Sequence, residues 1–190
     1  MNKNLFSSKK NYIITWILAL MVMALSFFGE NSTTGFIAVM FSAQADDENG
    51  ISELCRRVMF GLYAIRCLVT FTISMAAISG TLNLLAVSDF VGSCLVSAGS
   101  VLMLVGAIYS FEHITLFKAG ALATGVGMLL PFSITTLVVA QNGAFNGIGF
   151  TDVLSVLFVP LEAIFFVSLC FLTKSKNSVN CLETEQEDGI

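Results

Sequence analysis

Charge is scarce in this sequence, and it avoids most of the chain's length. Only 12% of the 190 residues are Asp, Glu, Lys or Arg, about half the share of a soluble domain. A chain this poor in charge cannot cover a globular surface with polar groups, so lipid must take up its apolar surface. Histidine occurs once, as His113, and tryptophan once, as Trp16. A lone histidine beside Glu112, without thiol or carboxylate partners at ligand spacing, makes no metal site and reads as a hydrated residue near the membrane surface. The five cysteines, Cys55, Cys67, Cys94, Cys170 and Cys181, include no CxxC pair. That excludes a zinc ribbon or a redox dithiol, and the thiols within apolar runs read as small buried residues. There is no HExxH, GxSxG, P-loop or GxGxxG. Residues 143–149 read GAFNGIG, a turn loop without the strand-to-helix context of a nucleotide site. No basic patch points to nucleic acid. The expectation is a protein that is not an enzyme and needs no cofactor.

Apolar residues make up 56% of the chain, and the mean hydropathy is +0.86. A helix needs about 20 apolar residues to cross the hydrocarbon core. Four runs reach that length, at 58–87, 91–111, 121–140 and 153–172. A fifth, 12–28, follows Lys3, Lys9 and Lys10 and suits a first span or a signal sequence. A sixth, 35–43, covers about 14 Å at 1.5 Å per residue, half of the core. The fold class expected is all-α: a polytopic transmembrane helix bundle of four spans plus an N-terminal hydrophobic segment. Residues 1–45 form the leader or first span, 46–173 the bundle, and 174–190 a polar acidic tail expected to be disordered. Ser88-Asp89-Phe90 reads as a tight link between antiparallel helices, and Asn142-Gly143 and Asn146-Gly147 as turns.

Small residues recur at helical spacing. Gly92, Gly99 and Gly106 are a heptad apart and share one helix face. Ala76 and Gly80 form a small-xxx-small pair, as do Ala121 with Gly125 and Ala123 with Gly127. Such stripes let helix backbones approach closely in lipid, so they are expected to be packing seams. Pro131 and Pro160 each remove a backbone donor from a run and should kink it.

Two ionisable residues lie well inside the runs, Arg66 and Glu162. A charge at mid-membrane costs about 2.5–3.5 kcal/mol on insertion scales, so each should face protein or water. Measured from one side of the membrane, Arg66 is about 12 Å deep and Glu162 about 15 Å, counting from Val58 and Leu172. An intramembrane charge pair is therefore expected, with a proton or ion relay as the alternative.

Two topology signals disagree. If residues 12–45 form a hairpin that returns to the inner side, every Lys and Arg outside the helices is cytoplasmic, as the charge bias demands. Ala43-Gln44-Ala45 before Asp46-Asp47 instead has the frame of a signal-peptidase site, with cleavage after Ala45. Asn31-Ser32-Thr33 is a glycosylation sequon on an outer loop in either case.

The pattern Gly99, Gly106-Ala107-Ile108, Phe111-Glu112-His113, Gly120, Gly127 and Leu129-Leu130-Pro131, behind an A-x-A leader, resembles the small hydrophobic membrane subunits of bacterial type IV secretion and conjugation systems. The resemblance covers roughly residues 46–150 and implies a structural or assembly role beside other membrane subunits or copies of itself, in an inner or plasma membrane. Four spans exceed the two of a pilin. A claudin-like tetraspan shares the long first outer loop and the close second and third helices. Its loop motif of tryptophan, glycine-leucine-tryptophan and two cysteines is absent, since only Cys55 lies between the first two long runs. The class set against the structural reading is a small transporter or channel using Arg66 and Glu162.

Overall fold

In hydrocarbon a backbone can satisfy its polar groups only within a helix or a closed barrel, and unbroken apolar runs of this length take the helical solution. The computed structural model describes residues 9–26, 50–80, 83–109, 114–141 and 150–173. They form five helices: α1 (Lys9–Ser26), α2 (Gly50–Gly80), α3 (Leu84–Ile108), α4 (Ile114–Gln141) and α5 (Phe150–Leu172). Three of them, α2, α3 and α4, are long and apolar enough to cross a membrane. Apolar stretches in α1 and α5 are shorter, Lys10–Ala24 and Leu157–Leu172.

The helices pack in chain order. α3 lies between α2 and α4, α4 also packs on α5, and α1 docks on α5. The contacts between α2 and α3 run antiparallel: Ser97 meets Cys67, Ser93 meets Ser74, and Phe90 stacks on Phe71. α3 and α4 run antiparallel too, with Gly92 beside Gly127, Gly99 beside Gly120, and Gly106 beside Phe117.

The link between α2 and α3 is not where the sequence pointed. The run 58–87 is not one span, and Ser88-Asp89-Phe90 lies inside α3 rather than in a turn. Helix α2 ends at Gly80, and the extended backbone (φ −126°, ψ 166°) and side-chain oxygen of Asn83 cap α3. The Asn83 side chain accepts from the Ala86 backbone N–H at 2.7 Å, meeting one of the orphan donors at a helix start. Ser88 then donates to the Leu85 carbonyl at 2.8 Å, so its hydroxyl is satisfied within the helix and does not break it. Helix α4 likewise starts well before the run at residue 121, which places Lys118 inside it. Both prolines lie within continuous helices, Pro131 in α4 and Pro160 in α5.

Aromatic rings fill the interior. Phe60 of α2 meets Phe117 of α4 edge-on at 5.6 Å. Tyr63 of α2 stacks on Phe166 of α5 at 5.4 Å. α2 and α5 thus touch across the core through long side chains, and Phe158, Phe165, Leu169 and Met103 complete it. Ala19 and Val22 bring α1 into the same cluster. Large apolar side chains also cover the outside of all five helices, among them Ile17, Leu62, Leu84, Leu137 and Phe171. That is the surface lipid requires and water rejects.

Candidate functional site

Two features stand out from the packing: a glycine seam between α3 and α4, and a polar cluster where α2, α3 and α5 converge.

The seam depends on the missing side chains. A Cβ at Gly99 would lie 2.5 Å from the Gly120 carbonyl oxygen and 2.7 Å from the Thr124 backbone nitrogen, and against the Thr124 hydroxyl. One at Gly92 would meet the Gly127 carbonyl oxygen at 2.6 Å and the Pro131 ring at 2.8 Å. At Gly106 it would strike Phe117 Cβ at 2.8 Å. The fit is reciprocal, because Gly120 and Gly127 are equally tight against α3. All five glycines are buried. Gly125 continues the close approach on another side of α4, where its Cβ would lie 2.9 Å from the Ala163 carbonyl of α5. Thr124 spends its hydroxyl on the Gly120 carbonyl at 2.9 Å, so it sits buried in the seam without an unmet donor. Ala76 is exposed on α2, and Gly80 ends that helix.

The polar cluster starts from Tyr63, Arg66 and Cys67, which share one face of α2 at i, i+3 and i+4. Ser97 of α3 donates to the Cys67 carbonyl at 2.9 Å in a buried contact between helices, the kind of bond worth about 0.6 kcal/mol on average in membrane proteins. Ser100 donates to the Ser97 carbonyl at 2.8 Å. Glu162 of α5 is only 6% exposed. It precedes Phe166 by four residues, so it lies one turn from the ring that stacks on Tyr63. Arg66 lies one turn from Tyr63 on α2, and Glu162 one turn from the Phe166 ring that stacks on Tyr63; neither is without a partner.

Tyr63 itself was not legible as part of a site. Its ring is 2% exposed. The Cys67 thiol lies beside its hydroxyl, close enough to interact. No hydrogen bond of proper geometry reaches the phenol oxygen, however. A signal was available in retrospect: a tyrosine one turn from an arginine inside an apolar run.

Cys67, Cys94 and Cys170 are free thiols, with Cys67 buried. Among the described residues no group of His, Cys, Asp and Glu converges in a way that would hold a metal ion. An apolar groove between α2 and α3, lined by Leu68, Phe71, Cys94 and Val101 among others, opens outward on the surface of the bundle. Ala43, Ala45, Glu112, His113, the segment 35–43, the turn dipeptides at 142–147 and the tail from 174 lie outside the described residues.

No protein-family model matches this chain, and comparison with curated proteins and with solved structures finds no match.

Proposed function

We propose that this chain is a multi-pass integral membrane protein whose helices α2 to α5 cross the bilayer, and that it serves as a non-enzymatic structural or assembly subunit of a membrane complex. The observation that carries the reading is the interlocked α3–α4 seam. Glycines on both helices, backed by Phe117 and Pro131, make a close contact that leaves no room for a Cβ. Seams of this kind hold a fixed scaffold, whereas a moving gate needs helices that can slide. The apolar outer faces of the helices supply the surface for lipid and for neighbouring subunits or further copies of the chain. A secretion apparatus in an inner or plasma membrane is the assembly that the type IV resemblance implies.

The antiparallel order supports one orientation. The start of α2 carries Arg56 and Arg57, the start of α4 carries Lys118, and Lys174 and Lys176 follow the end of α5. Alternating helices bring the starts of α2 and α4 and the end of α5 to one end of the bundle. The sequence between α2 and α3 and between α4 and α5 contains no Lys or Arg. By the positive-inside bias the basic end is cytoplasmic.

A second reading, a small transporter or channel, is favoured by the burial of Glu162 in the core, one turn from the Phe166 ring that stacks on Tyr63. Reconstitution into liposomes tests one against the other. The structural reading expects no ion or solute flux above protein-free vesicles, together with migration as a larger complex in mild detergent. Flux that disappears in Glu162→Gln overturns it in favour of transport.

A further inference from the structure

Helix α4 is held unevenly along its length. Its seven buried residues lie between Ile114 and Gly127, and none of residues 132–141 is buried. The two parts meet at Pro131. Proline has no backbone N–H, so the Gly127 carbonyl, four residues earlier, loses its ordinary intrahelical donor. That carbonyl rests against α3, where a Cβ on Gly92 would lie 2.6 Å from it and 2.8 Å from the Pro131 ring. The last tight rung of the seam is therefore also the turn of α4 that lacks a backbone bond. Two further side chains loosen the turns that follow. Ser133 donates to the Leu129 carbonyl at 2.7 Å and Thr136 to the Phe132 carbonyl at 2.8 Å, back-bonds of the kind that bend helices.

Among the described residues, the side-chain hydrogen bonds of 132–141 are these two, and both stay within the helix. Ser88 is the only buried residue of α3 beyond Gly92 toward that end, and its hydroxyl goes to Leu85 in its own helix. Parting the two helices there breaks no side-chain hydrogen bond between them. α2 differs, because near the same end it is tied to α3 by the Ser74–Ser93 bond at 3.0 Å and by the Phe71–Phe90 stack at 5.7 Å. A segment with few buried contacts belongs to the low-stability end of a fold. We propose that α4 is a hinged helix, in which residues 114–131 are clamped by the seam and residues 132–141 swing about the Gly127–Pro131 turn. The swing opens and closes the end of the bundle where α3 starts, while the Phe60–Phe117 layer toward the other end stays shut. The inference goes beyond the assembly reading and holds equally for a transporter.

Pulsed electron paramagnetic resonance on the full chain in nanodiscs, diluted with unlabelled chain, tests the hinge. Nitroxides carried on p-acetylphenylalanine leave the five native cysteines in place. One pair, at Ile73 and Leu137, reports the free part of α4, and a second, at Leu62 and Leu122, reports the clamped part; all four side chains are exposed. Leu137 lies about 9 Å beyond Pro131 at 1.5 Å per residue, so a bend of about 20° at the proline moves it by about 3 Å. The expected result is a distance distribution about 3 Å broader for the free pair than for the clamped pair. Pro131→Ala, which restores the missing N–H, should narrow the free pair to the width of the clamped one and leave the clamped one unchanged. Equal widths in the native chain overturn the hinge, and so does a free-pair width that Pro131→Ala leaves as it was. The native comparison needs no variant, so it can refute the hinge even if Pro131→Ala does not fold.

Discussion

Replacing Gly99 with Ala should destabilise the protein, while the same replacement at Gly61 should not, and the contrast isolates the worth of the seam. At Gly99 the new methyl would sit 2.5 Å from the Gly120 carbonyl oxygen and 2.7 Å from the Thr124 backbone nitrogen. Neither atom is the end of a flexible side chain, so α3 and α4 must part by about 1 Å to restore ordinary contact at about 3.5 Å. A gap of that size forfeits a quarter to a half of the dispersion well at every contact it opens. Gly92 with Gly127 and Gly106 with Phe117 lie on the same seam, so the loss spreads beyond one turn. Overpacking a filled interior costs about 1–3 kcal/mol. At Gly61 the nearest atom to a new Cβ is Leu104 Cδ1, 4.0 Å away, which is ordinary van der Waals contact. There Ala should stabilise by about 0.5–1 kcal/mol, because it loses less backbone freedom than Gly on forming a helix. That propensity gain is common to both variants, so their difference is the overlap itself, about 1–3 kcal/mol. Thermal unfolding of both in one detergent, or in nanodiscs, measures it. If Gly99→Ala is as stable as Gly61→Ala, the seam is not tight and the reasoning fails.

Arg66→Leu and Glu162→Leu should each lower the yield of folded protein, since the remaining charge stays in a low-dielectric core, and the double Leu variant should recover part of it; equal damage in single and double variants would show that the two residues are not coupled. A protease-cleavable tag after Ile190 should be reached only from the cytoplasmic side in an uncleaved chain, and N-terminal sequencing shows whether Ala45 precedes a processing site; an uncleaved chain with an external tail contradicts the charge argument. Asn83→Ala removes the side chain that accepts from Ala86 N–H at 2.7 Å and should cost about 1 kcal/mol of thermal stability. No loss there would mean that α3 starts without a cap.

Composition and run length alone pointed this chain towards lipid, and the structure holds three helices long and apolar enough to cross a membrane. Burying apolar surface is a matter of amount, and amount can be counted along a sequence. Helical periodicity placed Gly92, Gly99 and Gly106 on one face, because a heptad spacing leaves little freedom about which way three residues point. The cost of a charge in hydrocarbon singled out Arg66 and Glu162 as residues that must face protein or water. Only the tertiary structure decided what those faces meet. That Gly99 lies against Gly120, and that Gly92 makes room for the Pro131 ring, depends on how α3 and α4 are set against each other, and a match between two distant segments leaves no periodic trace in either. The turn shows the same limit. Ser88-Asp89-Phe90 has the composition of a link, yet a serine that bonds back to Leu85 and a phenylalanine that stacks on Phe71 both suit a helix, while Asn83 supplies the cap that starts it. Tyr63 was the least legible of all. Its one local mark is the arginine a turn away, and its burial depends on Phe166 of α5 stacking on it from a distant part of the chain.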